Sequence, residues 1–268
     1  MGLSVTFDSA VTQHTTLMRR LQSVQLQLAT GKREMGGVML DAANFSMAAK
    51  FDAQVHRMDA ALSNAGNAVS MLQTQDGTLR SVGRAMNRMG ELAILAQDIT
   101  KSDADRALYA EEFTQLKNMV SDSAGMTFNG VKMFGSQSKS VTVNEDGGTT
   151  DLPAINLQAD PYAAAVANEI SIATLDSAAA ALGVIKEGMS QVSTDRAKVG
   201  AAQASLEAES ERLTAARSSL TSAGSRITDV NYARAVTKKS AAQVQLQLAT
   251  AVLAHKSINP EAALYLTL

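Results

Sequence analysis

The sequence has no cysteine and no tryptophan, and proline occurs only three times in 268 residues. The lack of cysteine excludes a disulfide framework, a thiolate nucleophile and a cysteine-bound metal. Aromatic residues make up only 4% of the chain, whereas a thick globular core normally draws on large rings for its buried area. These shortages favour long helices packed side by side over a thick globular core.

The chain also has no large excess of positive or negative charge and no long apolar run. The formal net charge is -2, so the chain lacks the basic footprint of a nucleic-acid-binding protein. No window approaches the roughly 18 uncharged apolar residues that a membrane span needs. The first twenty residues contain no apolar core of a secretory signal peptide. We therefore expect no nucleic-acid partner, no membrane span and no export by the general secretory route.

Patterns that carry enzyme or metal chemistry are missing too. His14, His56 and His255 do not form an H-x-x-H or H-E-x-x-H motif, so no metal site is predicted. No dinucleotide fingerprint is present, and Gly31-Lys32 is better interpreted as a helix connector than as a phosphate loop. No set of nucleophile and base can be assembled from the sequence. We expect no enzymatic activity and no cofactor.

The amino-terminal segment has the apolar spacing of a coiled-coil helix, with alternating steps of three and four residues. The residues at these positions are Phe7, Ala10, His14, Leu17, Leu21, Val24 and Leu28. Met18 and Leu26 lie off this seam, so the helix is apolar on more than one face. Glycines after Thr30 favour a connector over residues 31–43.

Two much longer helices are predicted, over residues 44–99 and from Leu175 to Ile227. About 55 helical residues span on the order of 80 Å, which requires a partner of similar length. In the first helix the seam is predicted at Phe51, Val55, Met58, Leu62, Ala65, Val69, Leu72, Leu79 and Met86, with Asp76 and Gly83 as weak layers. In the second helix it is predicted at Leu175, Ala178, Leu182, Ile185, Met189 and Val192, followed by a slip before Val199. Antiparallel pairing would bury both seams.

The segment between the long helices is predicted to contain another helix and a small β region. Ser102–Asp105 resembles a capping box and starts the helix. Asn129-Gly130 is a turn signal, and Glu145–Gly148 is typical of a hairpin loop. Asp160-Pro161 would open a short helix, with Asp160 as its N-cap.

One seven-residue segment occurs twice, as Val24–Thr30 and as Val244–Thr250. Taken alone, V-x-L-x-L alternates like a strand, but both copies lie in helical patterns. The second copy belongs to a helix predicted over 232–256 that Pro260 ends. These ends carry more apolar residues than one helix pair can cover, which indicates interaction surfaces. A surface that associates head to tail without closing builds a filament.

The predicted fold class is mainly α: long antiparallel coiled-coil helices, a small β-hairpin tip at about 126–170, and termini paired as an inner helical layer. The predicted domains are a discontinuous terminal-helix domain (1–43 and 226–268) and a long-helix domain (44–225). The residues expected to make assembly contacts are Phe7, Leu17, Leu21, Val24, Leu26, Leu28, Val244, Leu246, Leu248, Val252, Leu253, Leu264 and Leu266.

Several segments in the same order resemble bacterial flagellin. Leu28–Arg33 is similar to its LSSGLR segment, Glu91–Ala93 to its RELA core, and Phe128–Lys132 to FNGVK. Near the carboxyl end, Ser225–Ala233 resembles SRIEDSDYA. The chain departs from the family at Gly90, where flagellins have a second arginine, and at its last residues, Leu266-Thr267-Leu268.

This resemblance implies a structural subunit of the extracellular flagellar filament, which polymerises with itself for swimming motility. It also implies export through the flagellar type III channel, with an export chaperone, hook-associated proteins and cap proteins as partners. A hook–filament junction protein shares both ends of this plan and is the nearest alternative. A soluble coiled-coil adaptor is the alternative from another class.

The resemblance also suggests two surface roles. Arg88, Glu91 and Leu92 lie in a segment similar to the part of flagellin that an innate Toll-like receptor senses, although Gly90 differs there. Ser136, Ser138, Ser140 and Thr142 lie in the β region and are candidates for O-glycosylation by family analogy.

Overall fold

The computed structural model describes residues 2–33 and 42–265. Six helices and four short strands occupy these ranges. The helices are α1 (Gly2–Thr30), α2 (Ala42–Ala96), α3 (Asp103–Ser123), α4 (Tyr162–Val166), α5 (Leu175–Thr228) and α6 (Tyr232–Tyr265). The strands are β1 (Thr127–Phe128), β2 (Val131–Lys132), β3 (Lys139–Thr142) and β4 (Thr149–Leu152). The predicted class, mainly α with long helices and small antiparallel strand pairs, is confirmed.

The chain divides into two compact units. The terminal unit comprises residues 1–53 and 218–268, and the central unit comprises residues 54–217. The described part of the terminal unit includes α1 and α6, which pack against each other. The central unit contains most of α2 and α5, all of α3 and α4, and the four strands.

In the central unit, α2 and α5 run antiparallel. Three contacts along their length show this direction: the ion pair of Asp59 with Arg217, the ion pair of Asp76 with Arg196, and the hydrogen bond from Gln97 to the Ala178 carbonyl. Residue numbers rise on one helix as they fall on the other. The predicted antiparallel pairing of the long helices is therefore confirmed.

The α2 seam keeps steps of three and four, but alternate positions differ by one residue from the prediction. The buried seam residues are Met58, Ala61, Ala65, Ala68, Leu72, Gln75, Leu79, Val82, Met86, Met89, Ala93 and Ala96. Gln75 and Val82 thus take the layers that the sequence pattern gave to Asp76 and Gly83. The smaller Ala61 and Ala68 are more buried than Leu62 and Val69, because small residues let the facing helices approach closely.

The predicted slip in α5 is wrong. Its buried seam is continuous through Ala178, Ala181, Ile185, Gly188, Val192, Asp195 and Val199, and continues to Leu206 and Leu213. Asp195 occupies the seam layer at which the apolar pattern of the sequence is interrupted. Gly188 makes room for Met86 at its layer, since an added Cβ would lie 3.1 Å from Met86 Sδ.

Helix α3 packs against the end of α2 and begins as predicted. Ser102 accepts from the Asp105 backbone N–H, and the Asp105 carboxylate accepts from the Ser102 backbone N–H, which completes the capping box. The Arg106 guanidinium donates to the carbonyls of Ala96 and Asp98 at 3.0 and 3.2 Å. It thereby satisfies acceptors that the end of a helix leaves free.

Both predicted β turns are present. Asn129 and Gly130 have φ values of 49° and 77°, and they join β1 to β2. Strands β3 and β4 pair antiparallel, with Thr142 opposite Thr149. The loop between them lies beside α2, where Gln54 Nε2 donates to Glu145 Oε1 at 3.1 Å and Arg57 Nε donates to the Glu145 carbonyl at 3.1 Å.

Two predicted helix boundaries are wrong. Helix α6 continues through Pro260 to Tyr265, because a proline removes one backbone hydrogen bond without necessarily ending a helix. Asp160 does not cap α4: the N-cap is Pro161, and no side chain makes a capping hydrogen bond there.

Candidate functional site

The predicted seam of α1 is confirmed between His14 and Leu28. Leu17 and Val24 are buried, and the other seam residues are half-buried: His14, Leu21 and Leu28. Because α1 packs against α6, this seam faces the other terminal helix of the same chain. Phe7 belongs to the first residues of α1, whose side chains the structure does not describe.

Helix α6 has its own seam, with the same alternating steps of three and four residues. Ala235 and Ala242 are buried, and Lys239, Leu246, Ala249 and Leu253 are half-buried. Small residues such as Ala235, Ala242 and Ala249 at alternate layers let the two helix axes come close. The packing of α1 against α6 covers one face of each helix. Within the described residues, the opposite face of each helix stays exposed.

The end of α1 is tied to the start of α6 by a compact junction. Gly31 has a φ of +71°, a left-handed conformation typical of a glycine just after a helix. Its carbonyl accepts from the Val230 N–H at 2.8 Å, and the Arg33 N–H donates to the Thr228 carbonyl at 2.7 Å. The carboxyl end of α1 therefore meets the amino end of α6, which makes the pair antiparallel.

A charged contact closes the same junction. Lys32 Nζ lies 2.6 Å from Asp229 Oδ1, and this hydrogen bond from Lys32 lowers the pKa of the Asp229 carboxyl. Sequence reasoning identified Gly31-Lys32 only as a connector and did not single out Asp229. Their separation of nearly two hundred residues along the chain left no local signal for the contact.

The faces turned away from the seams carry exposed apolar side chains. On α1 these are Val11, Met18 and Leu26, the last 41% exposed. On α6 they include Val236, Val244, Leu248 and Val252, with Leu248 62% exposed. Side chains of this kind lose water contact only when another surface covers them, so the pair presents two unpartnered apolar faces.

The residues predicted for assembly thus fall into three groups. Leu26, Val244, Leu248 and Val252 are exposed, whereas Leu17, Leu21, Val24, Leu28, Leu246 and Leu253 lie in the seam between the two helices. The side chains of Phe7 and Leu264 are not described, and Leu266 lies outside the described residues. The role of all of them in assembly stays a prediction.

The predicted receptor segment is an ionic cluster on the central unit. Arg88 Nε lies 2.6 Å from Glu112 Oε1, and Arg88 Nη1 lies 2.9 Å from Glu91 Oε2. The hydrogen bond from Arg88 lowers the pKa of the Glu112 carboxyl. Leu92 is fully buried, so only Arg88 and Glu91 of the predicted three expose their side chains. Receptor recognition stays a prediction.

The predicted glycosylation positions lie in and before β3. Ser136, Ser138 and Ser140 are exposed, whereas Thr142 is half-buried. Their modification stays a prediction.

Within residues 2–33 and 42–265, no group of three or more histidines and carboxylates is arranged to hold a metal ion. Over the same described residues, no helix combines the length and the apolar character needed to cross a membrane.

Two family models match the chain, one in each half. The model of the bacterial flagellin N-terminal helical region matches residues 8–139, and the model of the bacterial flagellin C-terminal helical region matches residues 171–262. The flagellin of Halalkalibacterium halodurans is 30% identical over 232 residues, which cover 84% of this chain and 84% of the relative.

Two solved structures share the fold. The crystal structure of Bacillus cereus flagellin superimposes with a TM-score of 0.50 at 21% identity, covering 56% of this chain and 88% of that one. A proposed flagellar hook-associated protein from Vibrio parahaemolyticus superimposes with a TM-score of 0.61 at 16% identity, covering 70% of this chain and 98% of that one. At such identities the likeness concerns the fold alone.

Proposed function

The chain belongs to the bacterial flagellin family and is a structural subunit of the flagellar filament, and we propose that it polymerises through the exposed apolar faces of its terminal helix pair. The observation that carries this proposal is the second face of α6. Val244, Leu248 and Val252 are each more than half exposed, although they belong to a helix already packed against α1. A neighbouring copy would cover them.

The energy of such a contact is adequate for assembly. Transferring the exposed part of a valine or leucine side chain out of water contributes roughly 1 kcal/mol each. Three such residues on α6 and the matching face of α1 supply several of these contributions per subunit. A filament repeats each contact in every subunit, so modest energies add along its length.

The filament subunit is favoured over a hook–filament junction protein. Both family models that match are flagellin models, and the relative from Halalkalibacterium halodurans is a flagellin. The likeness to a hook-associated protein is one of fold only. Copy number separates the two roles, because a filament needs thousands of subunits and a junction only a few. Quantitative mass spectrometry of sheared flagella would measure it.

The finer partners follow from family membership and are part of the proposal. We propose export through the flagellar type III channel, an export chaperone that covers the terminal helices before assembly, and contacts with hook-associated and cap proteins at the two ends of the filament. The exposed faces of α1 and α6 are the surfaces on which a chaperone would act, because they are apolar and unpartnered within the described chain.

Polymerisation of purified variants tests the proposal. Leu248→Asp places a charge on the exposed face of α6, whereas Gln247→Asp places the same charge beside it on an exposed polar position. Short filament seeds are added to the purified chains, and polymer is separated by high-speed centrifugation. We expect the Leu248→Asp variant to stay in the supernatant and the Gln247→Asp variant to pellet like the native chain. Equal pelleting of the two variants would rule out this face as the subunit contact.

A further inference from the structure

A groove between α2 and α5 is lined by arginines. Its lining residues are Leu79, Arg80, Gly83, Arg84 and Asn87 on α2, and Met189, Val192, Ser193 and Arg196 on α5. It has a volume of about 280 Å³. All of these residues belong to the central unit, and the groove lies outside the terminal helix pair.

Gly83 opens the groove. A Cβ added there would lie 3.4 Å from Val192 Cγ1, so any larger residue would fill the space above the seam. Leu79 and Val192 are buried and form an apolar floor. The groove therefore combines an apolar base with a rim of long cationic side chains, which suits a helix face carrying carboxylates.

The groove has more positive than negative charge. Asp76 accepts from Arg80 Nε and from Arg196 Nε, both at 2.8 Å, so one carboxylate serves two guanidinium groups. Within the described residues Arg84 has a hydroxyl partner and no carboxylate partner, with Nη2 donating to Ser81 Oγ at 2.9 Å. Three arginines against one aspartate leave the groove with two positive charges in excess, although the whole chain has a net charge of -2.

A complementary acidic strip lies further along α5. Glu207 and Glu211 are exposed, and neither makes an ion pair within the part of the chain that the structure describes. They are four residues apart, as are Arg80 and Arg84, so both pairs repeat at about 6 Å along a helix. The planar guanidinium groups could each meet one carboxylate.

The two surfaces cannot meet within one chain. Arg196 and Glu207 are on the same helix, eleven residues apart, which places them about 16 Å apart along its axis. A contact therefore requires a second copy displaced along the helix direction. Such a contact joins two different surfaces, and it builds a filament when it repeats head to tail without closing.

We infer that the arginine-lined groove binds the Glu207–Glu211 strip of a neighbouring copy of this chain. This inference rests on the proposed function, because it adds a second, electrostatic contact to the same polymer. The first contact buries the apolar faces of the terminal helices, and the second fixes the axial offset between the central units of adjacent copies.

Charge exchange tests the pairing. Arg84→Glu removes no ion pair that the described residues make, and Glu211→Arg alters an exposed residue, so both variants should unfold like the native chain. We expect each to raise the critical concentration for polymerisation about tenfold, and the double variant to return to within about threefold of the native value. Lys132→Glu and Glu111→Arg make the same charge changes at exposed positions elsewhere on the central unit, and should have little effect.

Crosslinking gives a second readout, because the chain has no cysteine of its own. Filaments grown from a mixture of Arg84→Cys and Glu211→Cys chains should form dimers with a short bismaleimide, whereas mixtures of Arg84→Cys with Asp122→Cys should not. Absence of both rescue and crosslinking in filaments that otherwise form normally would overturn the groove contact and leave the proposed function intact. Failure of the native chain to polymerise would instead count against the proposed function.

Discussion

Tyr162 donates its hydroxyl to Asp195 Oδ2 at 3.0 Å inside the core of the central unit. Tyr162 is 1% exposed and Asp195 is 3% exposed. Asp195 also accepts from Gln191 Nε2 at 3.0 Å and from Lys198 Nζ at 2.9 Å. Burial raises the pKa of the Tyr162 hydroxyl, and the charge of Asp195 raises it further, so the hydroxyl remains a donor. The bond fastens α4 to the seam of α5.

Removing that hydroxyl should destabilise the central unit. Tyr162→Phe leaves a buried carboxylate with one donor fewer, which costs about 1–3 kcal/mol of the free energy of unfolding. Urea denaturation followed by circular dichroism measures the change. Tyr109→Phe is the matched control, because Tyr109 is only half-buried and its hydroxyl makes no hydrogen bond to any residue that the structure describes. Equal denaturation midpoints for the two variants would contradict the prediction.

Arg106 should contribute more to stability than an arginine on the surface. Arg106→Met deletes the donors that satisfy the carbonyls of Ala96 and Asp98 at the end of α2, and we expect a loss of about 2–3 kcal/mol. Arg212→Met breaks a partly exposed pair with Glu209, and should cost less than Arg106→Met because water screens exposed ion pairs. Both losses can be read from the same denaturation curves, and a larger loss for Arg212→Met would refute this ranking.

The Asp76 carboxylate should make the stability of the chain depend on acid pH. Burial raises its pKa, but the hydrogen bonds from Arg196 and then Arg80 outweigh burial and lower it below the usual value of 3.8. A carboxyl whose folded pKa lies below its unfolded pKa stabilises the fold above the unfolded value and loses this contribution as pH falls. Asp76→Asn should therefore lower the melting temperature at pH 7 and flatten its decline between about pH 5 and pH 2.

A pH series of melting temperatures at constant ionic strength provides the measurement. Asp151→Asn is the control, since Asp151 is an exposed residue of β4 with no arginine partner within the described chain. A decline as steep in Asp76→Asn as in the control would show that Asp76 is not the titrating group.

Two glycines should respond in opposite ways to alanine. Gly31 has a φ of +71°, and an added Cβ would lie 3.2 Å from Tyr232 Oη, so Gly31→Ala should weaken the junction of α1 with α6 by about 1–2 kcal/mol. Gly77 lies within α2 with nothing within 4 Å of an added Cβ, so Gly77→Ala should stabilise by up to about 1 kcal/mol.

Hydrogen exchange of α1 and α6 detects the first effect, and the melting temperature of the central unit detects the second. Faster exchange confined to the terminal helices is expected for Gly31→Ala. Unchanged exchange in that variant, or a lower melting temperature in Gly77→Ala, would contradict the respective expectation.

Local chemistry made several elements predictable from sequence. The capping box at Ser102 and Asp105 depends on residues three apart, and the turn at Asn129-Gly130 depends on two residues that accept a positive φ. The terminal seam from His14 to Leu28 could also be predicted, because its steps of three and four residues continue without a break, although Met18 and Leu26 add a second apolar face. In each case the residues that determine the local structure are close together in the sequence.

The phase of the long seams could not be predicted in the same way. In α5, Leu182 and Met189 are larger and more apolar than Ala181 and Gly188, yet the smaller residues are buried. Close approach of α2 decides this, since the Met86 side chain occupies the space beside Gly188. Asp195 interrupts the apolar pattern, and its burial depends on Tyr162, a partner that only the tertiary fold supplies.

The repeated segment separates what sequence determines from what packing decides. In a helix the first and fifth residues of V-x-L-x-L share a face, and the third lies nearly opposite. The sequence thus determined that both copies are apolar on two faces. Only the tertiary structure decided which face is covered: Leu26 is exposed in α1, whereas Leu246, at the same place in its copy, lies in the seam of α6. The physical reason is the rotation of each helix about its own axis, which the partner helix sets and seven identical residues cannot encode.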